Sequence, residues 1–325
     1  MADIGHGNAR STCFTVTIFL FRQRKLNLES NKMIQTAEKI SHCGICGGTK
    51  LEPQASFPLV HLVRCRKCDF HFSERRPSAE ELNKLYSSYL RVDAISPITI
   101  KRYHEILDGL EVFRQTNNLI DVGCGNGYFL QTAKKRGWNV FGVEATKEAV
   151  TKCEEKGIQM HLGELETGSF PGVTFDVVAS FEVLEHMSDP KSEVEKFFSI
   201  LRAGGAVYAT TPNFNSLSRH LLKSRWNVVT YPEHLSYFSR RSIKRLFASF
   251  GFVSAHLQTT GISLTRLRSG QVNSNQGEHK DWDEKIRVQS EGRVLFRLLK
   301  RFANFVLDLT NKGDALKATF IKVTH

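Results

Sequence analysis

The sequence predicts an α/β fold built on a mostly parallel sheet, and three observations carry that expectation. Apolar runs at 118–123, 139–143, 175–180 and 206–211 are separated by stretches of helical period at 127–136, 146–156 and 190–202. Strand and helix in turn make βαβ units, whose sheet is covered by helices on both faces. The first run ends in an acid and passes directly into "GCGNG", a loop with glycine at alternate positions. Several helical stretches stop at glycine, in "KKRG", "EEKG" and "LRAGG", where a residue tolerant of positive φ closes the last turn.

From the amino end, residues 1–40 show no helical period and are expected to be a poorly ordered tail or an over-long start, with Met33 just before the organised part. "CFTVTIFLF" (13–21) is too short to span a bilayer, and no small-residue cleavage site follows it, so neither a membrane helix nor a signal peptide is expected. Residues 41–76 form a compact segment rich in Cys, Gly and His. In "PSAEELNKLYSSYL", Pro77 ends the preceding element, and Ser78 and Glu81 are spaced as a capping box that satisfies orphan donors of the first helical turn. Leu82, Leu85 and Tyr86 give that helix one apolar face. A second helix is expected over 99–115, with Tyr103, Ile106, Leu107 and Leu110 on one side. After the alternating core, a helix at 239–252 leads into a strand at 252–259. A polar insert at 266–292 precedes the amphipathic helix "RVLFRLLKRFANFVLDL" and a last strand, "ALKATFIKV". Residues 77–325 thus read as one α/β domain.

Composition bounds the class. The 325 residues are 41% hydrophobic and 24% charged, ordinary for a globular chain. A net charge of +12 suits anionic partners, but the basic residues are spread along the chain without a dense block, as on a solvated surface. No apolar run reaches the length of a bilayer span, and a cytoplasmic, reducing location is expected from the use of cysteine.

Cys43, Cys46, Cys65 and Cys68 form two C-x2-C pairs separated by 18 residues. That is zinc-ribbon spacing, and four thiolates match a closed structural Zn2+ site. Each pair makes a tight knuckle that needs a residue tolerant of positive φ after its second cysteine; Gly47 and Asp69 occupy those places. His42, His61 and His71 lie nearby but are surplus to four thiolates, and a disulfide arrangement is the competing reading.

The glycine loop raises the question of a ligand, since in an open parallel sheet ligands sit beyond the carboxyl ends of the strands. Glycines let the chain turn sharply and let a ligand approach without meeting a Cβ. The spacing here is G-x-G-x-G, with Asp121 two residues before Gly123. This departs from the dinucleotide spacing G-x-G-x-x-G, and an acid at that place suits a cationic group such as an ammonium better than a pyrophosphate. Glu144 ends the second run, where a carboxylate accepts both hydroxyls of a ribose. Glu164 follows a third expected strand, placed to accept an amino group from adenine, with Glu166 as its competitor.

Together, "DVGCGNG", "VFGVEAT", "FDVVASFEVLEHMSDP" and "LRAGGAVYATTPN" resemble the class I S-adenosylmethionine-dependent methyltransferases over about residues 100–260. The resemblance implies a three-layer Rossmann-like fold with a mostly parallel seven-stranded sheet, whose antiparallel last strand is inserted in it, as "ALKATFIKV" fits. It implies that Asp121, Gly123, Gly125 and Gly127 hold the methionyl part of S-adenosyl-L-methionine, that Glu144 binds its ribose, and that Glu164, Phe181 and Glu182 border its adenine. "VLEH", "TPN" and "YPEHLSYFS" look like the subgroup that methylates small molecules, including sugars and quinone-type metabolites. A zinc ribbon ahead of such a domain also resembles ribosomal RNA methyltransferases, so RNA is the alternative acceptor, although no aromatic-and-basic single-strand platform is evident. A non-catalytic binding protein on the same fold is a further alternative; the intact Asp121, glycines and Glu144 argue against decay.

Methyl transfer is an in-line displacement, and an oxygen or carbon acceptor must also lose a proton. His186, after the fourth strand, and His234, in "YPEHLSYFS" after the fifth, are the candidate bases. A structural histidine is the alternative for each. Tyr231 and Tyr237 flank His234, Glu185 is expected in a supporting position, and Trp226 and Phe214 are expected to wall the acceptor or the core.

Overall fold

The structure is a computed structural model that describes residues 38–78, 80–81, 85, 95–263 and 294–323. The expectations for residues 1–37, for the apolar face at Leu82 and Tyr86, and for the insert at 266–292 lie outside the described residues.

The main sheet has seven strands. They are β6 (Asn118–Val122), β7 (Asn139–Glu144), β8 (Gln159–Leu162), β9 (Phe175–Phe181), β10 (Leu201–Pro212), β12 (Phe252–Thr260) and β13 (Ala315–Lys322). Their order is β12-β13-β10-β9-β6-β7-β8. Six strands run in one direction, and β13 alone is antiparallel to them, between β10 and β12. The expected α/β class, the mostly parallel seven-stranded sheet and the inserted last strand are therefore all present.

Alternation within strands sends side chains to two separate cores. Leu119, Val140 and Val177 pack against Leu107 and Leu110 of α1 (Pro97–Leu110), Phe129 and Ala133 of α2 (Tyr128–Lys135), and Cys153 of α3 (Lys147–Glu154). Ile120, Val178 and Val207 face the other way, toward Val194 and Phe197 of α4 (Pro190–Ile200) and Ile243 and Phe247 of α6 (Arg240–Ala248). These are the three layers. Phe247 stacks on Phe320 with centroids 4.0 Å apart; each such side chain, fully buried, contributes about 1.5–3 kcal/mol.

Several expected boundaries differ; the helix expected over 239–252, for one, ends at Ala248. The helix expected to run to 202 and stop at "LRAGG" ends at Ile200, and Leu201 is already extended (ψ 140°). Gly204 does take positive φ (73°), but within an irregularity of β10 between Leu201 and Ala206. The helix expected over 99–115 starts earlier, at Pro97, because Ser96 accepts the Thr99 N–H and Pro97 occupies the first turn. It gives way to a 3-10 turn at Glu111–Phe113. The capping box at Ser78 and Glu81 forms in both directions, at 2.6 and 3.2 Å.

The cysteine segment makes a second, antiparallel sheet from β2 (Leu51–Pro53), β3 (Leu62–Cys65) and β4 (His71–Ser73). Its fourth strand comes from far along the chain: β11 (Ser236–Tyr237) pairs with His71 and Phe72. A short ribbon joins β1 (Glu38–Lys39) to β5 (Arg75–Arg76), so residues 38 and 39 of the expected tail are paired in a strand. The short helix α5 (Leu217–Leu222) follows β10. Near the carboxyl end, α7 (Val294–Leu309) is tied down through Asp308, which accepts the Thr259 N–H, and Asn304, which accepts the Gly261 N–H. Among the described residues no helix is long and apolar enough to cross a membrane.

Candidate active site and metal centre

The site is built where β6, β7 and β9 end. Gly123, Gly125 and Gly127 all adopt positive φ, at 73°, 55° and 70°. Space forbids a side chain at two of them: a Cβ at Gly123 would lie 2.5 Å from Val183 Cγ2, and one at Gly127 2.7 Å from Cys153 Sγ. The loop is held in place by β7, because the N–H groups of Gly123 and Cys124 both donate to Val143 O.

Asp121 sits beneath this loop, 2% exposed, and its Oδ1 has no hydrogen-bond partner. A buried unpaired carboxylate oxygen is costly. Burial first, then the neighbouring Cys153 and Glu144, push its carboxyl well above the usual carboxylate range. A cationic ligand would reverse that cost. Glu144 is also buried; its Oε2 accepts the Gly125 N–H at 2.9 Å and its Oε1 accepts the Thr146 N–H at 3.2 Å. An orphaned acid and a cradle free of Cβ atoms fit the ammonium-bearing half of S-adenosylmethionine.

The residues expected around adenine are placed unevenly. Phe181 packs edge-on against Phe129 at 4.8 Å and lies 5.5 Å from Tyr208, within the α1 face of the sheet. Glu182 takes a left-handed conformation (φ 54°) and donates its N–H to Thr210 O. Such a conformation in a residue with a Cβ is uncommon and concentrates at functional turns. Glu164 follows β8, but its side chain is 87% exposed and its ion pair is with Lys196 at 4.0 Å.

The two candidate bases come together. His186 and His234 have ring centroids 4.7 Å apart and planes at 70°. His186 Nδ1 lies 2.8 Å from Glu233 O, and His234 Nδ1 lies 2.7 Å from Val228 O. A carbonyl only accepts, so each Nδ1 donates in its contact. Burial, followed by the charge of His234, pushes His186 down to about 4. Glu185 is buried behind them; its Oε2 accepts the Thr211 hydroxyl at 3.0 Å. Burial and the adjacent Glu182 push Glu185 well above the usual range. Ligand atoms of Glu185, His186 and His234 lie within 4.8 Å of one another. Val183, which touches Gly123, accepts the His186 N–H at 2.9 Å, so one turn links the glycine cradle to His186.

The loop bearing His234 is anchored by the cysteine sheet. Ser73 N–H donates to Leu235 O, Leu235 N–H donates to Glu185 O, and the Ser236 hydroxyl donates to Met187 O. Tyr237 donates its hydroxyl to His234 O at 2.8 Å. Trp226 and Phe214 are buried with Tyr237 in a core of their own, and Tyr231 packs against it.

In that sheet, Cys43 Sγ lies 3.5 Å from Cys68 Sγ, and Cys46 Sγ lies 3.5 Å from Cys65 Sγ; all four sulfurs fall within 4.8 Å. Four ligands about 2.3 Å from a tetrahedral metal lie roughly 3.8 Å apart. Both knuckles form: Gly47 N–H donates to Cys43 O and Asp69 N–H to Cys65 O, with φ of 65° and 64°. The Cys43 contact and burial push the Cys68 thiol up, the penalty that a bound cation removes. The set could hold one metal ion.

Sequence reasoning missed β11 as part of the cysteine sheet. A two-residue strand carries no periodicity, and its partner lies more than 160 residues away in the chain.

A family model described as "Methyltransferase domain" matches residues 98–257. The "Ubiquinone biosynthesis O-methyltransferase" of Nitrosomonas europaea is 30% identical over 139 residues, covering 41% of this chain and 57% of that protein. That of Colwellia psychrerythraea is 33% identical over 112 residues, covering 32% and 45%. The chain spans about half the length of these curated relatives. Among solved structures, a SAM-dependent methyltransferase from Archaeoglobus fulgidus aligns over 75% of this chain and 100% of its own, with 16% identity and a TM-score of 0.47. Over residues 98–257, then, the chain is similar to the methyltransferase-domain family.

Proposed function

We propose that this chain methylates a hydroxyl or acidic carbon of a small metabolite, of the sugar or quinone type, using S-adenosylmethionine. The observation that carries the reading is the turn that links the glycine cradle, through Val183, to His186 and its neighbour His234. The relatives named for ubiquinone biosynthesis support a small-molecule acceptor.

When bound, the cofactor supplies a methyl group on a cationic sulfur, with a thioether as leaving group. Asp121 holds its ammonium, the loop Gly123–Gly127 admits its methionyl chain, and Glu144 exchanges backbone contacts for ribose hydroxyls. Phe181, Glu182 and Glu164 border the adenine, with Glu164 reaching it only by turning inward. His234 Nε2 takes the acceptor proton as the acceptor's electron pair attacks the methyl carbon. His186, kept neutral by burial, adds no positive charge beside it. Cys43, Cys46, Cys65 and Cys68 hold one Zn2+, which fixes the sheet from which β11 and the His234 loop are hung.

The test is an acceptor screen with labelled methyl donor, followed by His234→Gln on the acceptor found. Turnover should fall about 10²–10⁴-fold with cofactor affinity intact. Normal turnover in that variant would remove His234 from the chemistry. Transfer to RNA and to no small molecule would overturn the reading of the acceptor.

A further inference from the structure

A cavity of about 390 Å³ lies at the seam between the cysteine sheet and the methyltransferase sheet. Four arginines line it: Arg64 from β3, Arg219 from α5, and Arg240 and Arg241 from α6. Its one lining carboxylate, Asp69, is engaged by Arg64 at 2.5 Å. Arg240 is engaged too, with Asp308 at 3.3 Å and Asn311 at 2.9 Å.

Arg219 and Arg241 remain. The Arg219 guanidinium lies 4.3 Å over the Phe214 ring, its Nη2 faces His220 Nε2 at 3.3 Å, and its Nε is buried with no hydrogen-bond partner. Arg241 is exposed and makes no ion pair among the described residues. Positive charge is in local excess. Burial, and after it the charge of Arg219, lowers the ammonium of Lys312. Burial pushes His71 down to about 4, with Arg219 and Arg64 adding to the effect against Asp69. Arg240 and Arg241 are also the first two residues of α6, whose first turn holds no acid. Cations at the positive end of a helix are unfavourable unless an anion joins them.

We propose that this cavity binds the phosphate of a small phosphorylated ligand, with Arg219 and Arg241 as its cationic contacts. Planar guanidiniums match phosphate oxygens in paired hydrogen bonds. The orphaned Arg219 Nε and the acid-free turn of α6 both gain a partner in the same event. Phe214 and Asn215, on its wall, directly follow β10 at the end of the sheet that carries the glycine loop. Resting on the methyltransferase reading, the phosphorylated ligand is then the methyl acceptor.

The experiment titrates the full chain with inorganic pyrophosphate by calorimetry, with malonate and a short single-stranded RNA at matched ionic strength. S-adenosylhomocysteine is titrated in parallel, so that failure of the cofactor site registers separately. Pyrophosphate should bind, malonate should bind more weakly, and Arg219→Gln and Arg241→Gln should each lower pyrophosphate affinity about tenfold or more. Their affinity for S-adenosylhomocysteine should stay at the wild-type value. Arg241 is exposed, so its variant reports even if Arg219→Gln fails to fold. No pyrophosphate binding, equal binding of malonate, unchanged affinity in Arg241→Gln, or RNA binding that pyrophosphate does not displace would each overturn the site.

Discussion

Gly127 shows how one residue couples fold to ligand. Its φ of 70° already disfavours a side chain, and a Cβ would press on Cys153 Sγ and on Ile158 Cδ1 at 2.8 Å. Gly127→Ala should therefore cost about 1–3 kcal/mol of stability, read as a lowered denaturation midpoint, and should weaken S-adenosylhomocysteine as the loop shifts. Glu144→Ala removes a buried acceptor from the Gly125 N–H and, on the proposed role, both ribose contacts. Its affinity loss should be about tenfold or more. His186 gives a pH dependence whose sign is fixed by its lowered value. The unfolded chain, titrating near 6.5, binds the proton before the folded one, at about 4. The stability that His186 contributes is thus full above 6.5 and is lost as pH falls toward 4. Denaturant titrations of wild type and His186→Gln at several pH values test it. The wild type should lose more stability than the variant over that window, by at most about 3 kcal/mol, and parallel curves would contradict it.

Among the elements, β11 has the largest consequence for its size. Two residues join the His234 loop to the cysteine sheet, so the metal proposed there acts on the acceptor side without touching it. One Zn2+ per chain is expected, and Cys43→Ser or chelation should release it. Hydrogen exchange should then quicken at Ser73, Leu235 and Ser236 while the Gly123–Gly127 loop keeps its protection. Metal-free protein with unchanged exchange at Leu235 would separate the two. The elements also show what a local reading reaches. Gly47 and Asp69 were legible as positive-φ positions because a knuckle demands one after each second cysteine, and both adopt it. The run "LRAGG" misled, because glycine after a helical stretch signals either a cap or, as at Gly204, an irregular strand start. Only pairing with β9 decides between them.

In the whole molecule, the parallel order of the sheet and the inserted β13 were legible from the alternation of runs and the resemblance it supported. Asp121, the glycines and Glu144 were legible because each ends or follows an apolar strand. Long-range placement was not. Nothing in the local sequence brings Arg64 toward Arg219 and Arg241, or His186 against His234, since these pairs come from elements tens to hundreds of residues apart. The account as a whole rests on the buried carboxylate of Asp121, whose Oδ1 lacks a hydrogen-bond partner, being the anchor of a cationic donor. The most direct test is a calorimetric titration of S-adenosylhomocysteine into wild type and Asp121→Asn, which keeps the shape and removes the charge. One site per chain is expected in the wild type, with affinity falling about 10- to 100-fold in the variant. Equal affinity in the two proteins, or no binding by the wild type, would contradict the account.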